Sequence, residues 1–134
     1  MTLVVVPVRY PLSDHSEMTL RKAVDVAGER DADLSVLHVN LYQNGDKVTR
    51  TDLKRAVESR IGSLENARYV VRSGFLVEET ILEEVAADEA DVVVIGHKQA
   101  GRWRRMINAL VDDPDIDDYL RERLDCDVIT AGAD

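Results

Sequence analysis

The apolar positions of this chain switch back and forth between two spacings. Leu3-Val4-Val5-Val6-Pro7-Val8 is an unbroken, largely β-branched run, as expected of a strand covered on both faces. A polar stretch, Arg9 to Ser16, separates it from Leu20, Ala23, Val24 and Ala27, whose i, i+3, i+4, i+7 spacing predicts a helix ending near Gly28. Leu34 to Val39 returns to strand character, and Asn40 to Val48, with the turn pair Asn44-Gly45, reads as a surface loop. Thr49 to Asp52 predicts the capped start of a second helix with Leu53, Val57, Ile61 and Leu64 inward. Ala67 to Val71 is a third strand, with Gly74 breaking the chain after it.

The same alternation continues to the end. Val77, Ile81, Leu82, Val85 and Ala86 predict a third helix, with Glu78, Glu79, Glu83 and Glu84 on its outer side. Val92 to Ile95, followed by Gly96, is the clearest buried strand. Trp103, Met106, Ile107, Leu110 and Val111 follow helical spacing again. Asp113-Pro114 predicts one more helix, with Ile116, Tyr119, Leu120 and Leu124 inward, and Cys126 to Ala131 closes as a fifth strand. Strands separated by single helices make a parallel sheet covered on both faces, because right-handed crossovers place the helices there. The prediction is one doubly wound α/β domain over residues 1–134.

Composition narrows the function classes. The chain has 134 residues, 45% of them hydrophobic, enough for a proper core. No apolar run approaches the ~20 residues of a membrane-spanning helix, and Leu3 to Val8 is too short for a signal peptide, so a soluble, cytoplasmic protein is expected. One cysteine, Cys126, excludes an internal disulfide framework and a multi-cysteine zinc site. The net charge of −9 argues against nucleic acid or an anionic membrane as partner. Asp outnumbers Glu and Arg far outnumbers Lys, a balance resembling proteins of salt-loving organisms, whose acidic surfaces stay hydrated. The Asp112 to Asp118 run reads as a solvated helix start, since it lacks the glycine and distal Glu of a calcium loop.

Several stretches together carry a resemblance. Val4-Val5-Val6-Pro7-Val8, Leu37-His38-Val39, Asp91-Val92-Val93-Val94-Ile95-Gly96-His97 and Leu124-Asp125-Cys126-Asp127-Val128 resemble, in order and spacing, the universal stress protein (UspA-like) family. The resemblance spans nearly the whole chain. It implies a Rossmann-like, doubly wound, five-stranded parallel sheet in the order 3-2-1-4-5, commonly dimeric, in a family divided into ATP binders and non-binders. The binders carry an Asp after the first strand and Gly-x2-Gly-x9-Gly-Ser/Thr after the fourth. Here Arg9 replaces the Asp, and after Gly96 the later positions fall on Gln99, Ala109 and Leu110, with Gly101 two residues late. Gln99 and Ala109 would cost about 1–2 kcal/mol each in a left-handed loop conformation. The resemblance therefore implies a divergent member without an intact glycine motif. The Val39 backbone remains available as an adenine contact.

Positive charge gathers in the same region. No acid lies between Asp91 and Asp112, while Lys98, Arg102, Arg104 and Arg105 do, with His97 beside them. Open α/β sheets bind ligands beyond the C-terminal strand ends where strand order reverses. In the implied topology that point lies between strands one and four, where Arg9 and Gly96-His97-Lys98 would converge as two loops. The candidate ligand-binding residues are therefore Arg9, Val39, Gly96, His97, Lys98, Gly101 and Arg102, taking ATP or another phosphate-bearing anion. The bland alternative has these cations paired with acids such as Asp112 and Asp113.

Other chemistry is weak. His15, His38 and His97 lack the local spacing of metal ligands, and His38, inside a strand, is expected to be packed with a backbone partner. Cys126 is expected to be buried and inert, and Trp103 a helix-to-sheet anchor. Neither a nucleophile elbow nor a Walker loop is present. The expectation is a non-enzymatic stress-type regulatory module, a homodimer through the C-terminal edge strand. An ATP-binding protein with weak hydrolase or phosphotransfer activity is the alternative. A phosphorelay receiver fails for want of acids after the first strand.

Overall fold

The computed structural model describes residues 2–45, 47–108 and 126–131. Among the described residues the elements follow in the order β1 (Leu3–Pro7), α1 (Asp14–Arg30), β2 (Asp33–Leu41), α2 (Arg50–Ile61), β3 (Ala67–Gly74), α3 (Val77–Ala87), β4 (Val92–Gly96), α4 (His97–Asn108) and β5 (Asp127–Ala131). All strand pairs are parallel, and the sheet order is β3-β2-β1-β4-β5. The Rossmann-like architecture is thus the predicted one. The predicted helix from Pro114, the Asp112 to Asp118 run, and the inward positions from Leu110 to Leu124 lie outside the described residues.

Alternation along the central strands creates two cores. Val4, Val6, Val92 and Val94 face Leu20, Ala23, Leu53 and Val57 of α1 and α2. Val5, Val93 and Ile95 face Ile81, Val85 and Trp103 of α3 and α4. Burial on both faces is why β1 and β4 read as continuous apolar runs. Trp103 is fully buried and anchors α4 to the sheet, and Cys126 is buried. His38 packs in β2, its Nδ1–H donating to the Val8 carbonyl at 3.1 Å.

Several boundaries differ from the sequence expectation, each for a local reason. The α1 helix begins at Asp14, inside the predicted loop, because the Ser13 hydroxyl accepts from the Ser16 amide at 3.1 Å. It runs past Gly28 to Arg30 and ends on Asp31 in the left-handed region (φ 53°). Val26, not Val24, is its fully buried valine. The Thr49 and Asp52 pair forms the predicted reciprocal cap of α2. Gly74 ends β3 instead of following it, and a Cβ there would collide with the Thr80 hydroxyl.

One correction concerns α3. Glu84 is not on the outer side but only 4% exposed, while Ala86, predicted inward, is exposed. Arg72 on β3 reaches across to Glu84 Oε1 at 2.6 Å and draws the carboxylate under the helix. Burial, then the neighbouring Asp88, push the Glu84 pKa up. No helix among the described residues is long and apolar enough to cross a membrane.

Candidate functional site: a cationic crevice at the strand-order reversal

The crossover from β1 leaves the sheet on one side and that from β4 on the other, so a crevice opens above their C-terminal ends. It holds about 460 Å³. Its floor is Pro7, Val8, Leu37 and Val39, and Val77 and Ile81 of α3 close the apolar side. Ser13, His15, Ser16 and Thr19 of α1 form one wall, and His97, Lys98, Gln99 and Arg102 of α4 form the opposite one. The first turns of α1, α3 and α4 all meet the crevice. Each helix start carries amides without intrahelical acceptors and the positive end of the helix dipole.

Six of the seven predicted residues line this one cavity: Arg9, Val39, Gly96, His97, Lys98 and Arg102. Gly101 does not. The segment after Gly96 is helical from His97, not a glycine loop, so Gly101 sits inside α4 and away from the crevice. The same fact corrects the strain expected at Gln99. The described non-glycine residues with positive φ are Asp31, Asn66 and Glu89, and Gln99 has no left-handed conformation to bear. The convergence of two cationic loops becomes one loop, carrying Arg9, and one helix N-terminus, carrying Lys98 and Arg102. Arg104 is not described beyond its backbone, and Ala109 lies outside the described residues.

The electrostatics are one-sided. Among the described residues no Asp or Glu lines the crevice, in a chain of net charge −9. Burial first, and the positive charge of Arg9 second, hold the Arg102 pKa below the ordinary arginine value. Arg9, itself exposed, and Arg102 both line the crevice, near enough for the charge of one to act on the other. Arg102 is paired with an acid, Glu78 on α3, its Nε 3.1 Å from Oε1; the Asp112 and Asp113 considered from the sequence lie outside the described residues. That Nε is buried yet makes no aligned hydrogen bond, so the contact is an ion pair held off the N–H axis. Arg9 and Lys98 form no ion pair among the described residues.

Sequence reasoning missed several lining groups. Gln99 lines the crevice, and its buried Nε2 amide has no hydrogen-bond partner among the described residues. His15 and His38 line it as well, beside the predicted His97. They do not form a metal site: among the described residues no group of three His, Cys, Asp or Glu could hold an ion. Thr19 is buried with its hydroxyl donating to the His15 carbonyl at 3.0 Å, and a Cβ on Gly96 would lie 3.2 Å from that oxygen. A side chain at Gly96 would therefore press on Thr19 unless that hydroxyl gave way by a few tenths of an ångström. The signal for the α1 wall was the Ser13-x-x-Ser16 cap; Gln99 carried no local signal.

Comparison with known proteins accords with this geometry. The model of the universal stress protein family matches residues 1–131. No match was found among curated proteins. Among solved structures, the universal stress protein UspA from Lactobacillus plantarum is 20% identical, with 98% of this chain and 97% of that one covered and a TM-score of 0.61. The universal stress protein from Archaeoglobus fulgidus in complex with dAMP is 19% identical, with 98% of each chain covered and a TM-score of 0.62. A universal stress protein in complex with cAMP is 15% identical, with 97% of each chain covered and a TM-score of 0.57. The chain belongs to the universal stress protein family.

Proposed function

We propose that this protein is a non-enzymatic regulatory module of the universal stress type that binds a nucleotide or another phosphate-bearing anion in the crevice between β1 and β4. The observation that carries the reading is Arg9, Lys98 and Arg102 lining one cavity, with no carboxylate residue in its lining among the described residues, in an otherwise acidic chain. The apolar floor of Val8, Leu37 and Val39 suits a flat base, and the cationic rim suits phosphate oxygens. Two similar structures, one in complex with dAMP and one with cAMP, support a nucleotide as the ligand class. Gly96 puts no side chain against Thr19, and the first-turn amides of His97 and Lys98 are aimed at an anion in the manner of helix N-termini.

The alternative, weak nucleotide hydrolysis or phosphotransfer, has less support. Such chemistry needs a carboxylate to hold Mg²⁺ or to orient an attacking water, and none lines the crevice among the described residues. The test uses Mg²⁺ and ATP labelled on its terminal phosphate. Retention of label on the protein with no phosphate release above background is the expected result; stoichiometric turnover would establish the enzyme instead. Calorimetric titration with AMP, cAMP and inorganic phosphate then ranks the base against the phosphate. A nucleotide is expected to bind more tightly than phosphate alone, because the floor is apolar.

The assembly we propose is a homodimer joined at β5, which ends the sheet order β3-β2-β1-β4-β5 among the described residues.

A further inference from the structure

A second cavity lies on the flank of α2, beside the edge strand β3 and apart from the crevice. It holds about 500 Å³. Arg50, Lys54 and Glu58 line it from α2 at successive four-residue steps, which places them along one flank of the helix. Thr51 joins them, and Leu64, Ala67 and Tyr69 form the inner wall. Arg68 also touches the groove, but its guanidinium is committed to Asp88 at 3.0 Å.

Three observations make this a donor-rich site. Arg50 and Lys54 form no ion pair among the described residues. Tyr69 is only 8% exposed, and its hydroxyl has no hydrogen-bond partner among the described residues. Burial first, and the charge of Glu58 second, push the phenol pKa up, so it stays a protonated donor. The third observation comes from the sheet ladder. Leu34 N–H donates to Asn66 O and Tyr42 N–H to Gly74 O, so the even-numbered residues of this stretch face β2. The alternation of a parallel ladder then leaves the N–H groups of Ala67 and Tyr69 on the open edge.

We infer that this groove binds a small phosphomonoester with an apolar body. Two cations one helical turn apart match a dianionic head, the phenol and Thr51 hydroxyls complete its hydrogen bonds, and Leu64 and Ala67 receive the body. Glu58 closes the far end and repels the phosphate towards Arg50 and Lys54. A buried hydroxyl left unpaired at a groove wall is a rare feature unless something binds there.

Phenyl phosphate is the probe, followed by amide chemical shifts in the full chain carrying Arg9→Ala and Arg102→Ala, which separates this site from the crevice. Saturable shifts at Thr51, Lys54 and Tyr69 are expected, with inorganic phosphate weaker and phenol without effect. Tyr69→Phe should weaken binding about tenfold, the loss of one hydrogen bond to a charged group. Arg50→Ala with Lys54→Ala, both at exposed positions, should abolish it. The inference is overturned if those resonances show no saturable shift, if both variants titrate like the parent, or if phenol binds as well as phenyl phosphate.

Discussion

Arg102 sits between two opposing charges, Glu78 at 3.1 Å and the Arg9 guanidinium that depresses its pKa. An incoming phosphate would compete with Glu78 for it. Glu78→Gln should therefore tighten anion binding, by about threefold to tenfold for a charge contact worth about 1 kcal/mol near the surface. Arg102→Ala should weaken it by a similar or larger factor, and calorimetric titration of both variants checks the opposed signs. Gly74 makes a different kind of residue-scale claim. A Cβ there meets the Thr80 side chain, which is itself held by its hydroxyl donating to the Leu76 carbonyl at 2.7 Å. Gly74→Ala should cost about 1–3 kcal/mol by overpacking, read as a lower Tm. Adding Thr80→Ala should recover part of the loss, since it removes the obstructing oxygen.

At the scale of elements, the Glu84–Arg72 pair joins α3 to β3 and brings pH dependence with it. The Glu84 pKa is raised in the fold, so the native state holds its proton more tightly than the unfolded chain does. Stability from this group is then fully present below the ordinary carboxylate pKa and is lost as pH rises through the raised value. Glu84→Gln should flatten that part of the profile in chemical denaturation between pH 4 and 7. Arg72→Ala, which strands a buried carboxylate, should cost about 3 kcal/mol or more at neutral pH.

The same pair shows where the sequence stopped being legible. Periodicity located every described strand and helix, because burial on one or both faces writes itself into apolar spacing. It could not show that Glu84 turns inward, since its partner lies 12 residues away on another element. It also placed the start of α1 too late, since the Ser13 cap stands seven positions before Leu20, the first residue of the apolar pattern. At the site, Arg9, Lys98 and Arg102 could be proposed from charge against an acidic background and from topology. Gly101 was drawn in by a glycine pattern that helical backbone at His97 removes, and Gln99 became visible only as a buried amide without a partner among the described residues.

For the whole molecule, −9 of net charge on 134 residues makes self-repulsion a global term. If the acid-rich composition is an adaptation to salt, the Tm should rise between 0.1 and 2 M KCl as that repulsion is screened. The β5 dimer predicts twice the chain mass of 15.0 kDa in sedimentation at molar salt; a monomer there would contradict it. The central claim, however, is that the positive charge above β1 and β4 is a binding site. Titrating ATP into the parent protein and into the Arg9→Ala/Arg102→Ala double variant by calorimetry tests it most directly. Saturable heat in the parent and at least about a hundredfold loss of affinity in the variant are predicted, about 3 kcal/mol for two charge-assisted contacts. No heat in either protein, or equal affinity in both, would contradict the account.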